Sequence, residues 1–292
     1  MDPDHPTLSV LVKSEQILPF MNSTDIMGFN SYPVGEFSKS KIRRVYDEIS
    51  ERYNISMKAK PMWAVTQIFD WGAYRRKKYG TSNTLQPPSV QEMKSMAWQG
   101  FASGARGLLL YAFHSMYSVN NITPFEPRWN DVIEFTDEIW KYKDLFLSIE
   151  TVDKIEYIKN EHVAFKQWKV NNSNYIAAIN LERDNETFKV NLSNNYEINK
   201  EFGNGTFEKN GNEITFYLSP IDVILIKYIS FDNTQDGNNN NNNNNTNTGK
   251  TKLIIIIVCS CVGAIILVVA IILIRKKMIA KRDDNYKQIV EH

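Results

Sequence analysis

Cysteine is nearly missing from this 292-residue chain, and the only two, Cys259 and Cys261, lie inside one apolar run near the C-terminus. Residues 1–252 therefore have no disulfide and no thiolate zinc site, and their fold must rest on ordinary hydrophobic cores. Net charge is also small: 34 Lys and Arg against 33 Asp and Glu leave +1, which gives no electrostatic case for nucleic acid. One basic cluster outside the C-terminal flank, Arg75-Arg76-Lys77-Lys78, reads as a solvated helix or loop end. Histidine is scarce, and His5, His114, His162 and His292 have no motif context. With no G-x-S-x-G, a Ser-His-Asp triad is not supported. No nucleotide or metal motif occurs, so no cofactor is expected. The start, Met1-Asp2-Pro3-Asp4-His5-Pro6, lacks the basic opening and apolar core of a signal peptide.

What is present begins with an uncharged, Ile/Val/Leu-dominated segment at residues 253–274. As a helix it would be about 33 Å long, enough for a hydrocarbon core of ~30 Å. Five basic residues follow it (Arg275, Lys276, Lys277, Lys281, Arg282), against Lys250 and Lys252 before it. The positive-inside rule then places residues 275–292 in the cytoplasm and the N-terminal mass outside or in a lumen, at the plasma membrane or in an endolysosomal compartment. N-x-S/T triplets headed by Asn22, Asn54, Asn121, Asn171, Asn185, Asn191, Asn204 and Asn244 all precede the apolar segment, and are candidate glycosylation sites. A chain this rich in Asn also makes such triplets by chance. Residues 232–252 are dominated by Asn, cannot bury apolar surface, and read as a disordered stalk. In the tail, Tyr286-Lys287-Gln288-Ile289 resembles a Tyr-x-x-apolar endocytic sorting signal, whose partner would be an endocytic adaptor. Two readings fit a chain that opens without such a signal: a tail-anchored protein whose domain is cytosolic and whose triplets carry no glycan, or the C-terminal part of a longer protein with a lumenal mass.

Residues 1–150 alternate strand and helix. Strand-like runs occur at residues 7–12, 25–30, 62–69 and 107–113, with helical stretches at 38–53, 89–104 and 130–147. Ser89-Val90-Gln91-Glu92 is a capping box that starts the second of these helices. Continuous apolar strands separated by helices predict a parallel α/β sheet with helices outside. Residues 151–231 change to short strand-like runs at 154–158, 162–168, 174–180, 187–192, 206–208, 214–218 and 223–228, with a hairpin turn at Asn210-Gly211. Six or seven such strands predict a small β-sandwich.

The phrases "DIMGFNSYPVG" at 25–35, "PMWAVTQIFDW" at 61–71 and "PSVQEMKSMAWQGFASGARGLLLYAF" at 88–113, in this order and followed by a β-domain, resemble the second half of a (β/α)8-barrel glycoside hydrolase. The resemblance covers roughly residues 1–230 and implies that the four strands are barrel strands five to eight. A complete barrel takes ~250 residues and eight strand-helix units. Half of one leaves two strand edges and an inner face uncovered, which favours the longer-protein reading, the alternative being a half-barrel that dimerises.

Barrel active sites lie at the C-terminal ends of the strands. Those ends supply Lys13 and Ser14, Asn30 and Tyr32, Gln67, Asp70 and Trp71, and Tyr111 and His114. Tyr32, Trp71 and Tyr111 could offer flat faces to a carbohydrate ligand or substrate, and Asn30, Gln67 and His114 could bond its hydroxyls. Each could equally be a satisfied structural residue. Glycoside hydrolysis normally needs two carboxylates ~5–9.5 Å apart. The resemblance implies a Glu nucleophile ending strand seven, where this chain has Gln67, an amide that cannot attack an anomeric carbon. Asp70 is the weak catalytic candidate; Glu36 falls on a loop, and Glu92 is explained by the capping box. The chain by itself is therefore expected to be inactive. The two open functions are a membrane-anchored ectodomain that processes carbohydrate, and a non-catalytic glycan-binding or adhesion ectodomain.

Overall fold

The computed structural model describes residues 5–35, 41–74, 85–117, 123–192 and 196–230. Residues 232–252, the apolar segment 253–274, the tail with Tyr286 and Ile289, Glu36, the 75–78 basic cluster, Asn121 and Asn244 lie outside them. Among the described residues no helix is long and apolar enough to cross a membrane.

The chain starts with a parallel layer. Strands β1 (Leu8–Leu11), β2 (Ile26–Ser31), β3 (Met62–Gln67) and β4 (Gly107–Tyr111) pair in chain order, all parallel. Between and after them run α1 (Ile17–Phe20), α2 (Arg44–Ile55), α3 (Val90–Ala102), α4 (Phe125–Trp140) and α5 (Lys143–Leu147). Side chains alternate across the sheet. Met27, Phe29, Met62 and Ala64 face the helices within one buried core, while Val10 is exposed on the other face. The α3 start is the predicted capping box: the Ser89 Oγ accepts from Glu92 N at 3.2 Å, and the Glu92 carboxylate accepts from Ser89 N at 2.9 Å. An outward salt bridge from Arg183 also holds Glu92.

Eight strands follow: β5 (Glu156–Tyr157), β6 (Val163–Val170), β7 (Ser173–Asn180), β8 (Glu186–Asn191), β9 (Tyr196–Phe202), β10 (Thr206–Asn210), β11 (Glu213–Leu218) and β12 (Val223–Ser230). They form two antiparallel sheets, ordered β10-β11-β8-β5 and β6-β7-β12-β9. Within the second sheet β7 and β12 are buried on both faces, which explains why β12 reads Val-Ile-Leu-Ile without alternation. Ile224 and Ile226 meet Phe188, Ile214 and Phe216 between the sheets. Val223 and Leu225 turn the other way, into the core shared with α3. Ala164 and Ala177 on that face let α3 approach closely, and Gly100 does the same toward β3, where a Cβ would come within 2.6 Å of Ala64 Cβ. The helix α3 is thus a shared central element, and Met1–Gln235 form one compact unit.

Several boundaries differ from the sequence expectations for identifiable reasons. The helix expected at 38–53 is resolved as α2 from Arg44, and the one expected at 130–147 breaks at Lys141 and Tyr142 into α4 and α5. Strand β9 was not expected: Tyr-Glu-Ile-Asn-Lys-Glu-Phe carries too much charge to read as a strand until β12 pairs with it. The β10–β11 turn is shifted by one residue. The last pair is Asn210 with Glu213, so the loop is Gly211-Asn212, with Gly211 at φ 59° as a type II′ turn requires at its first position. Asn171 and Asn172, at φ 49° and 62°, make the corresponding β6–β7 turn as a type I′ pair.

Candidate functional site

Adjacent parallel strands bring their C-terminal ends side by side, and here those ends gather aromatic rings. Phe69, just beyond β3, is a buried pillar. Around it stand Tyr32 at 5.3 Å, Trp71 at 5.0 Å, Tyr74 at 5.3 Å and Tyr111 at 5.8 Å between ring centroids, each edge-on to Phe69. Tyr32 and Tyr111 stack on each other at 5.3 Å with 16° between planes. Tyr111 is 38% exposed and Tyr74 47%, so the cluster presents aromatic surface to solvent. His114 lies 6.1 Å from Tyr111, and its Nε2 is 3.2 Å from the Ser115 hydroxyl, which in turn bonds the Tyr74 hydroxyl.

The polar residues behind the rings hold the loops. Gln67 is buried and its amide is bonded to backbone throughout: Oε1 accepts from Val34 N at 3.0 Å, and Nε2 donates to Val34 O at 2.8 Å and to Phe69 O at 3.0 Å. Both amide hydrogens are thereby committed, and the loop after β2 is clamped to the end of β3. Trp71 Nε1 donates to Tyr32 O at 3.3 Å across the same two loops. Asp70 is buried and its Oδ1 accepts from Gly72 N at 2.6 Å, so it caps the turn that carries Trp71 and Tyr74. Arg128 is buried beneath, donating to Ile68 O, Pro88 O and Asp131. Burial holds its guanidinium below the usual arginine value, and Asp131 and Asp70 oppose that shift. At the end of β1, Lys13 is occupied by Glu15 and Gln16.

Of the sequence candidates, Tyr32, Trp71, Tyr111 and His114 thus share one surface. Asn30 sits one layer lower on β2: its backbone carbonyl accepts from Arg52, and its Oδ1 is buried without a partner among the described residues. Gln67 lies under the rings as a clamp. Sequence reasoning passed over Phe69 and Tyr74, although the spacing Phe69, Trp71, Tyr74 just after a strand was the available signal. The surface suits binding. Asp70, the carboxylate these strand ends supply, is buried and engaged, and no second one stands in this cluster among the described residues.

Burial pushes the Tyr32 phenol up to about 12, opposed by a hydrogen bond from Asn30. An unfolded tyrosine ionises near ~10. The folded pKa being the higher, Tyr32's contribution to stability is complete below that unfolded value and is lost as pH rises toward the folded one. Denaturant unfolding followed between about pH 9 and 11 should therefore fall less steeply for Tyr32→Phe than for the wild type. Parallel curves would mean that the ring is solvated.

No protein-family model matches the chain, and no curated protein matches it in sequence. Among solved structures it is similar to an alpha-amylase from H. orenii, at 10% identity over 75% of this chain and 52% of that one, TM-score 0.46. It is similar to an alpha-amylase from Geobacillus thermoleovorans complexed with acarbose, at 12% identity over 78% and 54%, TM-score 0.48. It is also similar to the Bacillus licheniformis trehalose-6-phosphate hydrolase, at 10% identity over 78% and 56%, TM-score 0.44. The chain spans about half the length of these structures.

Proposed function

We propose that this chain is the carbohydrate-binding ectodomain of a single-pass membrane protein, with residues 1–230 lumenal or extracellular, 253–274 as the span and 275–292 as the cytoplasmic tail. The observation that carries the binding reading is the aromatic cluster of Tyr32, Trp71, Tyr74 and Tyr111 at adjacent strand ends, in which Tyr74 and Tyr111 are exposed and Tyr32 and Trp71 half-buried. Sugar rings present apolar C–H faces that stack on such platforms, and neighbouring polar groups such as His114 fix their orientation. The same geometry favours binding over hydrolysis, because the position of an expected nucleophile holds a backbone-bonded amide. The parallel sheet reads as one half of a barrel: β1 and β4 each pair on one side only among the described residues, and Val10 and Val12 are exposed. The orientation rests on the basic flank and on the placement of the glycosylation triplets. All six triplet asparagines within the described residues are exposed, as glycosylation requires, and so are Asn172, Asn199, Asn210 and Asn212 outside triplets.

The test is retention of the purified full chain on a glycan array and on immobilised oligosaccharides. Trp71→Ala and Tyr111→Ala are expected to weaken binding by about 1–3 kcal/mol each if they stack on a sugar face, at unchanged fold. Retention equal to wild type in both variants would remove this surface as the site.

A further inference from the structure

A second set of rings adjoins the first. A short 3-10 turn, Phe113–Tyr117, follows β4 on the way to α4. Phe113 stands edge-on to three rings, Tyr117 at 5.4 Å, Phe125 at 5.8 Å and Trp129 at 5.2 Å between centroids. Those three are nearly parallel. Tyr117 stacks on Phe125 at 3.9 Å with 15° between planes, and Phe125 lies 6.0 Å from Trp129 with 13°. The construction repeats that of the first cluster, where Phe69 stands edge-on to the stacked pair Tyr32 and Tyr111. Phe125 and Trp129, half-buried and one turn apart at the start of α4, anchor the column. Tyr117 ends it. Phe125 covers one face of Tyr117, yet the residue is 57% exposed, so its other face is open to solvent.

The stretch that joins the two clusters is itself made of rings. Of residues 111–117, Ala112, Ser115 and Met116 are buried, and those that face solvent are Tyr111, Phe113, His114 and Tyr117. Backbone geometry bounds the separation of the two clusters. Two residues from Tyr111 to Phe113 span at most ~7 Å, and a five-residue 3-10 turn about 9 Å, so the Tyr111 and Tyr117 Cα atoms lie within ~16 Å. That distance exceeds one sugar ring and is within reach of several joined end to end. A lipid surface asks for an unbroken hydrocarbon patch, and an anionic ligand asks for cations. Here phenol hydroxyls and an imidazole interrupt the rings, and none of these exposed side chains is Lys or Arg. Flat apolar faces alternating with hydroxyl-bonding groups suit a neutral, polyhydroxylated chain.

We propose that the ligand of the aromatic site is a linear oligosaccharide, which stacks one unit on the Tyr32–Tyr111 cluster and a later unit on the open face of Tyr117. This rests on the carbohydrate-binding reading above and adds a length requirement to it. Phe113 and His114 form the floor between the two stacking points. Tyr117 is thus a specificity-determining residue: a single sugar cannot meet Tyr111 and Tyr117 together, whereas a chain can. Linking the second contact to the first makes it intramolecular, so it adds to affinity without a second association from solution.

The experiment measures dissociation constants of the full chain, purified in detergent, for linear oligomers from single sugars to hexamers. The probes are starch-type and cellulose-type glucose series and a chitin-type N-acetylglucosamine series. In a series that binds, affinity should rise about tenfold between the single sugar and the shortest chain that reaches Tyr117, then level off. Tyr117→Ala should cancel that rise, and Tyr117→Phe, which keeps the ring, should preserve it. Trp71→Ala should weaken every length by a similar factor and leave the ratio of long to short standing. Tyr117 is exposed, so neither of its substitutions opens the core, and matching far-ultraviolet circular dichroism verifies the fold. Equal affinity at all lengths, or a rise that Tyr117→Ala leaves intact, would overturn the second contact and leave the first site standing. No binding by any member of the three series would overturn the carbohydrate reading, and the length requirement with it.

Discussion

Trp98→Ala is expected to destabilise the chain by about 3–5 kcal/mol and to unfold the parallel layer and the β-sandwich in one step. Trp98 on α3 is fully buried, and its ring lies 5.2 Å from Phe146, 5.2 Å from Phe202, 5.8 Å from Tyr142 and 6.3 Å from Trp168. Those partners come from α5, β9, the α4–α5 break and β6, so one side chain touches elements from both halves of the chain. Truncation leaves a cavity that α3 cannot close, because Gly100 already rests on Ala64 across β3. Trp98→Phe should cost less, since it keeps a ring and removes an indole N–H that has no partner among the described residues. Denaturation followed by tryptophan fluorescence and by far-ultraviolet circular dichroism should give coincident transitions. Two separated transitions would show that the shared core does not couple the layers.

The sequence reading divided the chain at residue 150, and the composition does change there. What the sequence could not display is that one sheet of the sandwich has two apolar faces used for different cores. Val223 and Leu225 look no different from Ile224 and Ile226 in a continuous apolar run, yet the first pair packs on helices and the second on strands. Strong local signals were legible to the residue: the capping box at Ser89 and Glu92 is the clearest. Charge hid β9, whose pairing is a long-range fact. At the candidate site the strand-end rule assembled Tyr32, Trp71, Tyr111 and His114, because neighbouring parallel strands end together. It missed Phe69, since a buried pillar and an exposed platform are the same residue type in a sequence. It also gave Gln67 a ligand-facing role that its bonds to Val34 and Phe69 have taken up, because the partners of an amide are set by tertiary structure.

That last point decides what restoring a carboxylate would do. Gln67→Glu looks like a one-atom repair of a glycoside hydrolase nucleophile, but it is expected to give a destabilised protein and no turnover. The amide donates to two carbonyls, Val34 O at 2.8 Å and Phe69 O at 3.0 Å, and an ionised carboxylate can donate to neither. It would instead place a buried negative charge against both oxygens and retain only the bond from Val34 N. Removing one partner from a buried charged or strongly hydrogen-bonded set typically costs ~3–5 kcal/mol, and this change removes two donors at once. The new group would answer by holding its proton, so its folded pKa would lie above the ~4.3 of a free Glu. The sign follows: the variant's stability is greatest below the unfolded pKa and is lost as pH rises through the folded one. The deficit relative to wild type should therefore be largest at neutral pH and narrow in mild acid, the reverse of a change that merely loosens packing. Unfolding measured at about pH 5 and pH 7, beside an assay on aryl glycosides, reads both halves of the claim. A Gln67→Glu protein as stable as wild type at neutral pH, and able to cleave an aryl glycoside, would show that the end of β3 faces substrate and that the clamp on Val34 is dispensable.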